Sequence, residues 1–284
     1  MRESLSLKRR AYSYTLTAFI WLCVLLAVSL LVYIVGFVFF RGAGHVNWLL
    51  LSTARSALRN TIGILPNIIF TLYVVFTTLI IALPIGIGAA IFLNEYAKNK
   101  RLVSIIEFTI EVLAGIPSIV YGLVGFLIFV QRFTQRPSIL AGSLTVAILI
   151  LPTVVRTTQE ALKTVPGVYR EGAYAMGATK WHIVRTIVLP CSLDGIVGGI
   201  ILSMGRIVGE SAALLFTAGM GYTLVTNYFS ALNTSGGTLT VALFLYATEH
   251  ANFNVSFAIA SVLVFIVLAL NLTAKLIKHK LKKI

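Results

Sequence analysis

The stretch VPGVYREGAYAMGATKWHIVRTIVLP, residues 165–190, has the marks of two short helices rather than of a plain connector. It opens on Pro166-Gly167, a pair that interrupts regular structure. Tyr169, Ala173 and Met176 then recur at helical spacing, Gly177 breaks the pattern, and Trp181, Val184 and Val188 follow three and four apart. Pro190 marks the entry to an apolar run. The pattern predicts two helices joined by a glycine-permitted turn, lying across one mouth of a helical bundle. Tyr174, Met176 and Trp181 on such a piece suit a docking surface, because methionine and aromatics are enriched in interface cores. They equally suit an interfacial helix anchored by Trp and Arg.

Working outward, the chain is strongly apolar. Of its 284 residues 58% are hydrophobic and 11% charged, with a mean hydropathy of +0.94. A soluble domain carries about 25% charged residues, so the composition indicates a polytopic membrane protein. Crossing a hydrocarbon core takes about 20 apolar residues in a helix. Six runs approach that length, at about 15–40, 67–93, 112–130, 138–155, 191–219 and 253–274. The predicted fold is therefore all-α, with six transmembrane helices. The apolar stretch 239–247 is too short to span and reads as a short helix or re-entrant piece. The first run follows a charged amino end, residues 1–14. It exceeds the ~7–15 apolar residues of a signal peptide and lacks a convincing cleavage site, so it reads as an uncleaved span. Residues 41–66 then form an external loop.

Lysine and arginine set the orientation. Seventeen of the 23 fall on one side: at the amino end, in the loop near Lys98, in 156–190 and in the basic tail 276–284 with the adjoining Lys275. Arg41, Arg55, Arg59, Arg132 and Arg136 fall on the other. The asymmetry places both termini in the cytoplasm. It also accounts for the net charge of +14 without nucleic acid as a partner. Cys23 and Cys191 read as buried packing thiols.

The stretch 165–190 also carries a resemblance. Glu171, Ala173, Gly177, Ile187, Leu189 and Pro190 match the EAA loop of ABC-importer permeases, with Gly172 in place of the usual alanine. The resemblance implies the type I ABC importer permease fold. It also implies that Glu171, Gly172, Ala173, Tyr174, Ala175, Met176, Gly177 and Ala178 form the coupling segment that docks on an ATPase subunit. The segments 83–97, 110–125, 174–190 and 205–219 together resemble the phosphate ABC permeases. Their order, with Leu93-Asn94-Glu95-Tyr96, favours the PstA-type subunit over its PstC-type partner. What this implies is a non-enzymatic chain of a bacterial inner-membrane importer. Its implied partners are a second permease of PstC type, a cytoplasmic ATPase dimer, an external phosphate-binding protein and membrane lipid. No G-x-x-x-x-G-K-[ST] loop occurs in the chain, so no cofactor is expected here, and ATP and magnesium belong to the ATPase.

Within the run 191–219 stand two charges, Arg206 and Glu210. An arginine at the centre of a spanning helix costs roughly 2.5–3.5 kcal/mol by insertion scales. In a continuous helix entered near Cys191, Arg206 lies about 22 Å along the axis, and residues i and i+4 share a face. The pair is thus expected to face a substrate path: a guanidinium fork suits an oxyanion, and a carboxylate can accept the proton that phosphate carries and sulfate lacks. Gly205 and Gly209 would allow close backbone approach or small-residue helix packing. A self-neutralising pair that only packs helices is the competing account. Glu107 and Glu111 read as acids favoured at a helix amino terminus. Glu249 and His250 read as a solvated loop, and His45, His182 and His279 lack metal spacing. A permease for another oxyanion, sulfate or molybdate, is the alternative function. An ion-coupled carrier using Arg206 and Glu210 as its relay is the more distant one.

Overall fold

The computed structural model describes residues 7–56, 61–249 and 251–281. Arg2, Arg59, His250, Lys282 and Lys283 of the sequence reading lie outside the described residues. Helix α1, Leu7–Ala43, is exposed over residues 12–34 and leans with its last turns on the last helix, α13, Phe253–Leu281. Ser261 donates to the Val38 carbonyl at 3.1 Å, and Gly42 sits so close to Phe257 and Ser261 that a Cβ would collide.

The segment expected to be an external loop is more structured than one. Helix α2, Trp48–Ser52, is capped by Asn47, whose side chain accepts from the Leu50 amide. Strands β1, Ala54–Ser56, and β2, Thr61–Ile64, pair antiparallel as a small hairpin. This hairpin is the one departure from an all-α chain among the described residues.

Helix α3, Leu65–Ile91, runs on through the π-helical turn Phe92–Tyr96. Its partner at the centre is α6, Ile139–Lys163, the most buried of the long helices. Between them, α4 is Lys100–Gly115 and α5 is Ser118–Gly125, continued by a π-helical stretch Phe126–Thr134. The single span expected at 112–130 is instead a helix broken at Ile116-Pro117, its two arms bent by 97°. A local preference favours the break: proline disfavours the α region for the residue before it, and Ile116 is extended, although Leu189 before Pro190 stays in the α region. The Tyr121 hydroxyl donates to the Leu113 carbonyl at 2.8 Å and ties the arms across the bend.

Helices α7, Gly167–Ala175, and α8, Lys180–Ile183, make up the segment expected to be the coupling loop. A π-helical turn, Val184–Val188, leads into α9, Leu189–Gly209. The span expected at 191–219 therefore stops ten residues early, and α10, Ala212–Thr217, is a separate short helix. Helix α11, Tyr228–Leu232, and α12, Leu239–Thr248, complete the chain before α13. The short apolar stretch at 239–247 is thus helical, and it is buried: Leu239, Val241 and Leu245 lie in the core. Counting the bent pair as one crossing, six helical units are long and apolar enough to span.

Small residues set the helix contacts, as expected where lipid offers no hydrophobic drive. Gly195 and Gly199 of α9 lie against Ala161 and Thr157 of α6. Both pairs are four apart, so one face of each helix meets the other over a full turn. Gly86 of α3 meets Val154 of α6, and Gly122 of α5 meets Ala213 of α10. Gly205 and Gly209, expected to be candidates for this packing, have open space where a Cβ would stand. Cys23 and Cys191 are exposed rather than buried.

Candidate functional site

Arg206 lies in the last turn of α9, where a cation is favoured by the helix dipole. Its guanidinium is exposed on the surface of the chain, and Nη1 donates to the Thr153 hydroxyl of α6 at 3.2 Å. On the same helix Gly198, Leu202, Gly205 and Gly209 have open surroundings or exposed side chains. Among the described residues, no other element covers this side of α9.

Glu210 does not share that side. It is the residue at which α9 ends, with extended backbone at φ −77 and ψ 123. It is 8% exposed, its Oε1 accepts from the Ala213 amide at 3.0 Å, and its carbonyl accepts from the Thr240 hydroxyl at 2.7 Å. Its side chain caps α10. No ion pair joins it to Arg206. The i, i+4 pairing expected of a continuous helix is thus not realised, because the helix stops between the two residues. Two residues favour the stop: Gly209 is a weak helix former, and Ser211 competes for nearby backbone groups, whereas Glu210 between them is by itself a good helix former. Irregular backbone at membrane depth occurs where it is buried in protein or lines a cavity.

The second element of the candidate site is the α7–α8 segment, expected to be the coupling loop. Gly177 has φ +81, a conformation that costs little only for glycine. Its amide donates to the Tyr174 carbonyl at 2.9 Å, and the Ala178 amide donates to the Ala173 carbonyl at 3.0 Å. These are the two bonds of a Schellman cap, which ends α7 and starts the turn into α8. The Thr179 hydroxyl then caps α8 by accepting from the His182 amide. Ala173, Ala178 and Leu189 pack on a core cluster with Ile183 and Val188. Ile187 is half-buried, while Pro190 is exposed in the first turn of α9. Glu171, Gly172, Tyr174, Ala175 and Met176 point outward. With Val168, Tyr169 and Trp181, Tyr174 and Met176 leave a cluster of large apolar side chains in solvent, Met176 being 88% exposed.

Two contacts here have no counterpart in the sequence reading. Arg170 of α7 reaches Glu95 at the end of α3, Nη2 to Oε1 at 2.9 Å, and also donates to the Leu162 and Val165 carbonyls. Lys180 of α8 lies 5.1 Å from the ring centre of Tyr96. Spacing could not reveal partners 75 residues apart. Glu107 and Glu111 are corrected as well. They sit mid-helix in α4, which Asn99 caps, and face Lys163 and Arg156 of α6 at 4.0 and 3.5 Å.

A family model described as the binding-protein-dependent transport system inner membrane component matches residues 82–283. The chain belongs to this family. It is 35% identical over 204 residues to the probable ABC transporter permease protein YqgI of Bacillus subtilis (strain 168), covering 72% of this chain and 69% of that protein. It is 32% identical over 287 residues to phosphate transport system permease protein PstA 1 of Mycobacterium tuberculosis (strain CDC 1551 / Oshkosh), covering 96% and 91%. A chain of a bacterial alginate ABC transporter, solved with an alginate pentasaccharide-bound periplasmic protein, superposes with a TM-score of 0.64 at 16% identity, covering 100% and 99%. That likeness shows the fold. As an inner membrane component, the chain is a multi-pass permease of the type I ABC importer fold, and the Schellman turn at Gly177 and the open side of α9 are features of that permease.

Proposed function

We propose that this chain is one of two permease subunits of an ATP-driven importer for inorganic phosphate, with both termini cytoplasmic. The observation that carries the reading is Arg206. A guanidinium on an uncovered side of a spanning helix would be costly against lipid, and it is affordable against a water-filled path or a second permease chain. Its planar fork matches two oxygens of an oxyanion at once. Relatives whose names state phosphate transport at 32–37% identity support the choice of phosphate among oxyanions. Glu210 enters this proposal as the residue that stops α9 and fixes the break beside Arg206. Its capping bond, and not proton acceptance from the anion, is the role the contacts support.

The apolar cluster of Met176, Tyr174 and Trp181 is proposed to dock on the ATPase subunit, which supplies ATP and magnesium chemistry. A second permease chain of PstC type covers the open side of α9, and an external binding protein delivers the anion. Uptake of labelled inorganic phosphate by a strain lacking its own importer permease, complemented with this chain, tests the reading. Restored uptake of phosphate but not of sulfate or molybdate is the expected result. Uptake of either other anion in its place would overturn the substrate.

A further inference from the structure

Both arms of the coupling loop hold the same turn of α3. From α7, Arg170 donates through Nη2 and Nε to Glu95 Oε1 at 2.9 and 3.3 Å. From α8, on the far side of Gly177, the Lys180 ammonium lies over the ring of Tyr96. Glu95 and Tyr96 close the π-helical turn Phe92–Tyr96, and the Asn94 amide donates to the same carboxylate oxygen at 2.8 Å. π-helical turns occur frequently at functional sites, and the chain has two further π-helical stretches, Phe126–Thr134 and Val184–Val188.

The Arg170–Glu95 pair is unlike the other ion pairs of this end of the molecule. Its side chains are 20% and 9% exposed, whereas both partners of the Arg156–Glu111 pair are 60% exposed. An exposed pair is screened and yields easily. A pair largely out of water, with its hydrogen bonds made, is short and directional, and removing one partner strands the other. Arg170 uses its remaining donors on the Leu162 and Val165 carbonyls, at 3.0 and 2.7 Å, where α6 ends. One guanidinium therefore joins α7 to the ends of both α3 and α6. Those two helices are in direct contact at Gly86 and Val154, one residue from Thr153, which holds Arg206.

We propose that Arg170 and Glu95, with Lys180 on Tyr96 as a second arm, are the positioning residues through which a movement of the coupling loop reaches α3 and α6. The inference rests on the reading of the loop as the ATPase-docking segment. Without the clasp, α7 and α8 would be connected to the bundle through their own chain ends and the small hydrophobic cluster beneath them. The loop could then follow the ATPase while the helices beside Arg206 stayed behind.

The test uses the whole transporter in vesicles, with the binding protein, labelled inorganic phosphate and ATP. Three quantities are read: ATPase subunit retained, ATP hydrolysed, and phosphate moved per ATP. Glu95→Gln and Arg170→Gln are expected to retain the ATPase and its hydrolysis. Phosphate moved per ATP should fall at least about fivefold, the low end of ordinary coupling between sites. The double variant should fall no further than the worse single one, because both remove one contact. A readout independent of substrate uses spin labels at His182→Cys on α8 and Phe92→Cys in the π-helical turn, with Cys23 and Cys191 replaced by serine. The label distance should be the same with and without ATP in the parent, and should change with ATP in Glu95→Gln. Unchanged phosphate per ATP, or losses of uptake that only follow losses of assembled complex, would overturn the proposal. Failure of the unaltered chain to retain the ATPase subunit would instead overturn the docking reading beneath it.

Discussion

The Arg206 guanidinium donates to the Thr153 hydroxyl at 3.2 Å, directly beside the stretch where α9 and α6 touch through Gly199 and Thr157. One donor is thus fixed by the neighbouring helix, and the rest of the fork is free to meet an anion. Arg206→Gln is expected to abolish phosphate uptake while the chain still reaches the membrane and assembles. Arg206→Lys keeps the charge and loses the fork, so uptake should fall between the two. Thr153→Val keeps the shape and removes the acceptor. One hydrogen bond to a charged group is worth about 1.5–3 kcal/mol, so uptake should drop roughly tenfold or more without vanishing. Full uptake by Arg206→Gln, at normal membrane levels, would remove Arg206 from the path.

The glycines of α9 make a second, purely structural prediction. A Cβ at Gly199 would collide with the Thr157 side chain, whereas one at Gly205 meets open space. Gly199→Ala should destabilise the chain by about 1–3 kcal/mol through overpacking, read as a lower unfolding temperature in detergent. Thr157→Ala in the same chain should recover part of that loss by making room. Gly205→Ala should leave the unfolding temperature unchanged or raise it slightly, since alanine is the better helix former. Equal losses at the two positions would mean that α9 packs on α6 along a different face.

How far the sequence discloses this molecule depends on whether the deciding interaction is local. The six apolar units and the turn at Gly177 are local, written in hydropathy and in one residue that tolerates positive φ. The break at Pro117 is only half legible: a proline disfavours helix for the residue before it, but Pro84 and Pro152 lie inside helices, so a proline in an apolar run does not by itself mark a bend. Glu210 is the instructive error. A single helix over 191–219 puts Arg206 and Glu210 on one face; Gly209 and Ser211 disfavour helix, but Glu210 is a good helix former and the apolar residues around them hide the stop. The clasp of Arg170 on Glu95 could not be read from one sequence, because nothing in the chain marks which of its acids an arginine 75 positions away will meet.

The turn at Gly177 predicts an order of substitutions. A side chain here meets nothing within the chain, so the cost to the chain itself comes from the backbone at φ +81. A left-handed conformation costs a residue with a Cβ about 1–2 kcal/mol, and asparagine visits it more readily than others. Gly177→Asn should therefore keep most ATP-driven uptake, Gly177→Ala less, and Gly177→Leu least. Leucine adds bulk on the outward surface, so its excess loss over alanine should appear as weaker retention of the ATPase subunit. Equal uptake for the three would show that the Schellman turn is dispensable for coupling.

Glu210 separates two roles by chemistry that single substitutions can read. As a cap, it needs an acceptor oxygen for the Ala213 amide, which glutamine also supplies. As a proton acceptor for a passing anion, it needs the carboxylate itself. Capping predicts that Glu210→Gln retains most uptake and most stability. Glu210→Ala should lose about 1 kcal/mol, the usual worth of a cap, and should loosen the break beside Arg206, so uptake falls along with stability. Exchanging the two charges, Arg206→Glu with Glu210→Arg, should not rescue either single change. The arginine would then stand at a buried position with an amide donor facing it, and the glutamate on the uncovered side of α9. Uptake and unfolding temperature measured on these variants distinguish the accounts: loss of uptake in Glu210→Gln at unchanged stability would return the carboxylate to the substrate path.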